Sequence, residues 1–529
     1  MASDDKNPSG GSEEKEEHAR LQQYKNVAKN EDHRRRRTEC TVEIRKQKGS
    51  DLMMKRRNIQ NDNADEDADS HEPPNTSTHL SNDEIKAILS VNPSVEDMSR
   101  CFETLRKTLS KTKNPPIDQV IQSGLLHALI AALSLPNTRI QYEAAWALTN
   151  VVSGTSAQTI AAVEAGATEP LVKLIVHSDG MIAEQALWAV ANMAGDSPQL
   201  RDYIVRCHGM EALMHVVERV GSLQITHART VAWAFSNFCR HKNAPAATPV
   251  LRQIARGLKK LLVHPDRQVR QDACWAVSYL TDGGDEQIEV ARESGVLWKI
   301  VPLLDDAVAA ALVAPALRTL GNVATGNDAL TQCVIEMGVL EKLGPLMAER
   351  QVQAILKEST WLVSNIIAGT RKQIQAVLDA GLLPHVVKTL QVGDHKSQME
   401  AGWALSNLAQ GGNPQQIVTM FEECAVPALC AALSSTNTDM LNNALETLYA
   451  LLQTMETSYP QKLDLLRDQI EQHGGLDAFE RLQESSCSKV YSQAYRIITH
   501  FFSDDVDGPV DGGGDSGSSE GDNDDIIDE

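Results

Sequence analysis

The amino-acid sequence predicts an all-α solenoid of about ten repeats, each of about 42 to 45 residues. The first observation is a five-residue phrase that starts with Trp and ends with Asn, at residues 146–150, 188–192, 233–237, 361–365 and 403–407. Two related phrases complete the series: Tyr279 ends the phrase that starts at Trp275, and Arg318 stands in the Trp position before Asn322. Successive phrases begin 42, 45, 42, 43, 43 and 42 residues apart, so one helix recurs at a nearly constant step.

A series of glycines recurs in the same phase. The steps between them are 42, 43, 86, 43 and 43 residues, in the order Gly124, Gly166, Gly209, Gly295, Gly338 and Gly381. A period of about 40 to 47 residues is typical of helical armadillo or HEAT arrays. The length of 529 residues agrees, because a solenoid grows by adding neighbouring repeats without enlarging a single core.

The composition excludes several classes of protein. The longest apolar runs, at residues 125–135 and 308–313, are shorter than the roughly 18 to 20 residues that a membrane span needs, and the polar N-terminus has no secretory signal. The nine cysteines form no CxxC pair, so we expect reduced thiols in a soluble intracellular protein. No P-loop, HExxH or GxSxG motif occurs. We therefore expect no enzyme, no cofactor and no metal site.

The N-terminal part divides by charge into three segments. Residues 1–19 predict a disordered leader and residues 61–77 an acidic flexible linker. Between them, residues 20–60 form a basic arm, with thirteen Lys or Arg against five acids from Arg20 to Arg57. A helix at about 30–48 has little apolar face, so we expect it to fold on a protein partner; a solvated arm or a nucleic-acid tail is the alternative.

The predicted solenoid spans residues 78–502, and residues 503–529 form a disordered acidic tail with eleven Asp or Glu and no Lys or Arg. A typical unit, at residues 165–194, has the apolar spacing of a helix, a turn and a second helix. The flanking segments at 83–110 and 476–502 look like atypical capping units. With a net charge of −21, the array should attract basic ligands.

The recurring phrase predicts a peptide-binding groove. Trp and Asn at i and i+4 lie on one face of a helix, so stacked repeats align a ladder of indoles beside a ladder of amides. An Asn amide matches the N–H and C=O groups of any peptide backbone, and parallel indoles offer walls and cation–π faces to Lys or Arg. Nearby acids would neutralise the bound cations; they are Asp196, Asp282, Asp328, Glu358 and Glu400.

The ladder is interrupted at Arg318, whose charge we expect to repel a cationic ligand. We therefore expect two sites, one around Trp146, Trp188 and Trp233 and one around Trp361 and Trp403. Stacked helices lie roughly 8 to 10 Å apart and an extended chain advances roughly 3.3 Å per residue, so each repeat spans about three ligand residues. A ligand with two basic clusters and a spacer could occupy both sites.

Taken together, these features resemble the importin alpha family, armadillo-repeat adaptors that recognise nuclear localisation signals. The resemblance covers nearly the whole chain and depends on the Trp/Asn ladder, its interruptions at Tyr279 and Arg318, and the basic residues 33–37 and 55–58. It implies a right-handed armadillo solenoid and an N-terminal arm that binds importin beta. The arm residues would be Arg20, Lys25, Arg34, Arg35, Arg36, Arg37, Arg45, Lys46 and Lys48, followed by an autoinhibitory cluster of Lys55, Arg56 and Arg57.

The resemblance also implies two peptide-binding sites. The major site would comprise Trp146, Asn150, Gly154, Thr159, Gln185, Trp188, Asn192, Asp196, Arg229, Trp233 and Asn237. The minor site would comprise Trp275, Tyr279, Asp282, Arg318, Asn322, Asp328, Glu358, Trp361, Ser364, Asn365, Glu400, Trp403 and Asn407. Expected partners are importin beta, cargoes with monopartite or bipartite signals, a recycling exportin and nucleoporins, with no nucleic acid or membrane. The family shuttles between cytoplasm and nucleus.

Two other functions are open to an armadillo array. A catenin-like scaffold in adhesion or signalling is the main alternative, but such a scaffold needs neither an asparagine ladder nor a basic arm. Direct RNA binding through residues 34–37 is disfavoured by the acidic body.

Overall fold

The computed structural model describes residues 55–56, 80–111, 113–305, 310–348 and 352–503. These residues contain 27 α-helices, four short 3₁₀-helices and no strand. The predicted leader, linker and acidic tail after Ser503 lie outside the described residues. So does the predicted arm, including Arg57, apart from Lys55 and Arg56.

Ten helices stack side by side in chain order and form one continuous inner surface. They are α2 (Val95–Leu109), α5 (Thr138–Val151), α8 (Gly180–Asp196), α11 (Ile225–Cys239), α13 (Arg267–Leu280), α15 (Ala310–Ala324), α18 (Gln353–Ile367), α21 (His395–Gly411), α24 (Thr438–Ser458) and α27 (Ser488–Phe501). Each packs mainly against its predecessor and its successor, as in a solenoid. The prediction of about ten armadillo repeats is confirmed.

Of the other seventeen helices, one precedes the first inner helix and sixteen lie between inner helices along the chain. They are α1 (Asn82–Ser90), α3 (Ile117–Gln122), α4 (Leu125–Ala132), α6 (Ser156–Glu164), α7 (Thr168–Leu174), α9 (Pro198–Arg206), α10 (Gly209–Val217), α12 (Thr248–Leu261), α14 (Asp285–Ser294), α16 (Asp328–Glu336), α17 (Leu340–Ala348), α19 (Arg371–Asp379), α20 (Leu383–Val392), α22 (Pro414–Glu422), α23 (Ala425–Ala432), α25 (Leu463–Gln472) and α26 (Gly475–Leu482). The predicted two-helix unit was incomplete. The unit also has a short first helix, α6, before the pair formed by α7 and α8. A left-handed turn at Gly166 ends the apolar pattern of α6 before that of α7 begins.

One apolar core runs along the whole array. The residues between Trp and Asn of each phrase point into it: Ala147 and Leu148 are fully buried, as are Ala234 and Phe235. Burial of each large aliphatic side chain contributes about 1.5 to 3 kcal/mol. Because this core fixes the rotation of every inner helix, the Trp and Asn positions are presented on the groove side.

The recurring turn does not always use glycine. Gly166 adopts a left-handed backbone, with φ of 93°. At the next turn the left-handed residue is His208, with φ of 64°, while Gly209 begins α10. A Cβ on Gly209 would lie 2.4 Å from Ile204 Cγ2, so glycine is needed there for close packing. In this repeat the periodic glycine therefore lies one residue after the left-handed turn.

Free thiols are found at eight described cysteines. Burial raises the pKa of the Cys239 thiol to about 12, as expected for an inert core cysteine. Within the described ranges, no cluster of three His, Cys, Asp or Glu side chains has the arrangement of a metal site. None of the helices described is both long enough and apolar enough to cross a bilayer.

Candidate functional site

The ladder asparagines bind the preceding repeat. Their Nδ2 groups donate hydrogen bonds to the inner helix before them: Asn192 to Thr149 O (3.3 Å), Asn237 to Ala191 O (2.8 Å), Asn322 to Ser278 O (2.9 Å), Asn365 to Gly321 O (3.3 Å) and Asn407 to Ser364 O (3.0 Å). Asn150 donates to Ser110 Oγ at 3.0 Å. These bonds fix the rotation of each amide. The sequence had indicated only the ligand-binding use of these residues.

Asn192 and Trp188 hold the backbone of Arg56. Asn192 Oδ1 accepts from the Arg56 N–H at 3.0 Å, and Asn192 Nδ2 donates to Arg56 O at 3.0 Å. Trp188 Nε1 donates to the same carbonyl oxygen at 2.8 Å. All three bonds use main-chain groups of Arg56, so they hold an extended segment whatever its side chains are.

Lys55 occupies a pocket made by the end of α5, the start of α6 and the end of α8. Its Nζ donates to Gly154 O at 2.9 Å and Thr159 Oγ1 at 2.7 Å, and it forms an ion pair with Asp196 Oδ1 at 2.6 Å. Three acceptors match the three donors of an ammonium group. Ser156 Oγ also donates to Asp196 Oδ1, at 2.9 Å, which orients the carboxylate. The pocket is chemically suited to lysine.

The Arg56 side chain lies against the next two repeats. Its guanidinium carbon is 4.7 Å from the centroid of the Trp233 ring, and its Nη2 is 3.6 Å from Asp272 Oδ2. Burial raises the pKa of Asp272, an effect that the nearby Arg56 opposes, and burial lowers the pKa of Arg56. Asp272 was missed in the sequence. Its signal was its place three residues before Trp275, which matches Glu358 and Glu400 before their own Trp residues.

Two neighbouring indoles of the ladder do not form parallel walls. Trp188 and Trp233 have ring centroids 6.3 Å apart and meet edge to face at 68°, so the prediction of parallel indoles is wrong. Adjacent inner helices present their rings at different angles, and this arrangement suits the ring quadrupoles. Trp361 is buried against the backbone of α15, where a Cβ on Gly321 would lie 2.2 Å from Trp361 Cζ3. Trp361 therefore also has a packing role.

Arg318 is neutralised inside the groove. Its Nη2 lies 2.6 Å from Glu358 Oε1, both side chains are buried, and its guanidinium carbon is 5.8 Å from the Trp275 ring centroid. The expectation that Arg318 presents a repelling charge is therefore wrong, because the next inner helix supplies a counter-ion. Likewise Glu358, expected to neutralise a ligand cation, already pairs with Arg318.

The other predicted minor-site residues are spread along the later repeats. Trp275 and Tyr279 stack with centroids 6.1 Å apart, and Asp282 pairs with Lys242 at 2.7 Å. The Ser364 hydroxyl donates to Trp361 O at 2.9 Å within its own helix. Three further predicted residues are half-buried: Asp328 at the start of α16, and Glu400 and Trp403 on α21. Their role as a second site stays a prediction.

Three other predicted major-site residues lie on the inner helices α5, α8 and α11. Trp146 is half-buried on α5, and the Gln185 carbonyl accepts from Thr149 Oγ1 at 3.0 Å. Arg229 makes a two-point ion pair with Asp266, with Nη2 to Oδ2 at 2.7 Å and Nε to Oδ1 at 3.1 Å. The Arg229 hydrogen bond lowers the pKa of Asp266 to about 2. Arg229 thus pairs with the residue that precedes α13. Asp196 and Asp272 instead pair with Lys55 and Arg56.

Comparison with known proteins decides the family. The Importin beta binding domain family matches residues 20–103, and the Armadillo/beta-catenin-like repeat family matches residues 113–153, 155–195 and 370–410. An atypical Arm repeat family matches residues 465–514. Importin subunit alpha-2 of Caenorhabditis elegans is 63% identical over 500 residues, which cover 93% of this chain and 94% of that protein. The chain belongs to the importin alpha family.

A second relative agrees with this importin alpha assignment, and a solved structure agrees with the fold. Importin subunit alpha-3 of Arabidopsis thaliana is 34% identical over 499 residues, covering 92% of each chain. Among solved structures, an engineered protein aligns with a TM-score of 0.68 and 25% identity, covering 80% of this chain and all of that one. The resemblance to importin alpha drawn from the Trp/Asn ladder and the basic arm is confirmed.

Proposed function

We propose that this importin alpha family member is a nuclear import adaptor. It binds basic localisation signals of cargo proteins in the Trp/Asn groove and links them to importin beta through the arm at residues 20–60. The observation that carries the proposal is the placement of Lys55 and Arg56, a basic dipeptide of the same chain, across α5, α8, α11 and α13.

The contacts of this dipeptide separate general from selective recognition. Asn192 and Trp188 bind main-chain atoms and so accept any extended peptide, whereas Asp196 and the ring of Trp233 favour cationic side chains. Trp233 Nε1 is buried and has no acceptor among the described residues. We expect it to donate to a further carbonyl of a longer ligand, as Trp188 Nε1 donates to Arg56 O. A monopartite signal of a few Lys or Arg residues fits this part of the groove.

Autoinhibition follows from the covalent connection. Lys55 reaches its pocket from 99 residues away along the chain, so it competes with cargo as an intramolecular ligand. The region that matches the Importin beta binding domain, residues 20–103, includes this dipeptide. Importin beta, by binding the arm, would withdraw Lys55 and Arg56 and free the groove for cargo.

A second basic cluster of a bipartite signal would occupy the minor site around Trp361, Asn365, Trp403 and Asn407. The two-cluster ligand is supported by the aligned asparagines, whose back-bonded amides recur at the same inner-helix position. Recycling by an exportin, contacts with nucleoporins and shuttling between cytoplasm and nucleus complete the proposed cycle.

The test is binding of a fluorescent Lys-rich peptide to the full-length chain and to its Lys55→Ala/Arg56→Ala variant, at low and high salt. We expect the variant to bind about tenfold tighter or better, because the competing segment is removed. Adding Asp196→Asn to the variant should abolish most of that binding. Lys372→Ala/Lys388→Ala, which removes two exposed cations from α19 and α20, is the matched control and should change nothing.

Equal affinity of the wild type and the Lys55→Ala/Arg56→Ala variant would contradict autoinhibition. Absence of peptide binding by every form would contradict the adaptor function and favour a scaffold without a cargo groove.

A further inference from the structure

Arg106 occupies the ladder position of the first repeat. It lies 40 residues before Trp146, and Ser110 follows it by four residues, as Asn follows Trp in the later phrases. The structure agrees with this register to within one residue. Asn150 Nδ2 donates to Ser110 Oγ, four residues after Arg106, and Asn192 Nδ2 donates to Thr149 O, three residues after Trp146. Arg106 therefore stands where an indole of the ladder would otherwise be.

The surroundings of Arg106 match those of the basic segment in the groove. Its Nε lies 2.7 Å from Glu143 Oε2, both side chains are buried, and its guanidinium carbon is 4.5 Å from the Trp146 ring centroid. Arg56 has the same kinds of partner, a buried carboxylate and an indole face at 4.7 Å. A resident cation of the solenoid thus makes the contacts that a ligand cation makes two repeats further on.

The ion pair recurs at the other interruption of the ladder, although Arg318 contacts the ring of Trp275 on the preceding inner helix and Arg106 that of Trp146 on the following one. Arg318 pairs with Glu358, which lies three residues before Trp361, just as Glu143 lies three residues before Trp146. In both places an Arg of one inner helix meets a Glu of the next. Because this Arg–Glu ion pair occurs twice, we regard it as a feature of the ladder. The two pairs lie on either side of the indoles from Trp146 to Trp275.

We propose that Arg106 is a specificity-determining residue: it is a built-in cation that fills the terminal indole site at Trp146 and Glu143, and so limits how far a basic peptide extends along the groove. The proposal rests on the proposed function, since it concerns the length of the same ligand. Removing the Arg106 side chain opens a site with an acid and an indole face, which takes one further Lys or Arg of the ligand.

The experiment uses the full-length chain carrying Lys55→Ala/Arg56→Ala, so that its own segment does not compete. The probes are a fluorescent peptide with one five-residue Lys/Arg cluster and two elongated forms, with an extra Arg three residues beyond either end. That spacing corresponds to about one repeat of the groove. In this background all three peptides should bind equally.

With Arg106→Ala added, we expect one of the elongated peptides to bind about tenfold tighter than the parent peptide. With Arg106→Ala/Glu143→Gln, which opens the site but removes its charge, most of the gain should disappear. Arg106→Gln keeps a hydrogen-bond donor for Glu143, and it replaces the Ala variant if that variant loses its helical circular dichroism. The elongated peptide should bind Arg106→Gln more tightly than the parent peptide does, by a smaller factor than in Arg106→Ala.

Two results would overturn the proposal. One is equal binding of all three peptides to the Arg106→Ala and Arg106→Gln variants, and the other is an elongated peptide that already binds tighter while Arg106 is present. A failure of the proposed function is recognised separately, because the parent peptide would then bind none of the forms.

Discussion

The Asn192 side chain forms hydrogen bonds with both main-chain polar groups of Arg56. It accepts from the Arg56 N–H and donates to the Arg56 C=O, each at 3.0 Å. The same Nδ2 also lies 3.3 Å from Thr149 O in the preceding repeat. One amide therefore joins the solenoid to itself and to its ligand, and its orientation is fixed before the ligand arrives. Such preorganisation reduces the entropy cost of binding.

Asn192→Ala should weaken binding of a basic peptide by about thirtyfold, since it removes two hydrogen bonds of roughly 1 kcal/mol each. The loss should be equal for peptides with different residues beside the basic cluster, because the bonds involve only the backbone. Fluorescence anisotropy in the Lys55→Ala/Arg56→Ala background measures it. Asn437→Ala removes an amide that caps α24, outside both predicted sites, and should leave this affinity unchanged. A loss that depends on the peptide sequence would contradict the backbone assignment.

Arg318→Leu should destabilise the solenoid by about 3 kcal/mol, because it leaves Glu358 buried without its cation. The double variant Arg318→Leu/Glu358→Leu should come within about 1 kcal/mol of the wild type, since two apolar side chains replace a buried ion pair. Urea unfolding followed by circular dichroism measures both midpoints. A single variant as stable as the wild type would show that Glu358 does not depend on Arg318.

His227 should make stability depend on pH. It is buried, its Nε2 has no partner among the described residues, and burial, with a smaller effect of Arg219, lowers its pKa from 6.5 to about 4. Between pH 6.5 and 4 the unfolded chain binds a proton that the folded chain does not, so stability should fall as the pH falls through this range. The loss approaches about 3 kcal/mol near pH 4.

His227→Gln should remove this part of the pH dependence, measured as the change in melting temperature between pH 7 and pH 4.5. His473→Gln, at an exposed histidine, is the matched control and should keep the wild-type profile. Identical profiles for the wild type and His227→Gln would show that His227 does not titrate in this way.

Gly166→Ala should lower the free energy of unfolding by about 1 kcal/mol, because φ of 93° is unfavourable for any residue with a Cβ, although no atom lies within 4 Å of that position. Gly180→Ala is a matched control with equally open space and no positive φ. At the start of α8 it should be neutral or slightly stabilising. Equal effects of the two substitutions on the urea midpoint would argue against backbone strain at Gly166.

The sequence was most informative where one chemical requirement recurs at every repeat. The step of 42 to 45 residues predicted the solenoid, and the phase of Trp and Asn predicted which helix face lines the groove. It was least informative where neighbouring helices meet side by side. The sequence did not predict that Arg318 pairs with Glu358 or that Asp272 contacts Arg56. It also did not predict that His208, and not Gly209, forms the left-handed turn.

By itself, the sequence determined the all-α repeat architecture, the family and the kind of ligand that the ladder suits, because periodic apolar positions and periodic amides each allow one stacked arrangement. Only the tertiary structure decided which charges remain available to a ligand. Arg106 with Glu143 and Arg318 with Glu358 are separated by 37 and 40 residues, and each pair forms because packing brings two inner helices together. An ion pair depends on the distance and rotation between those helices, and both are properties of the packed array.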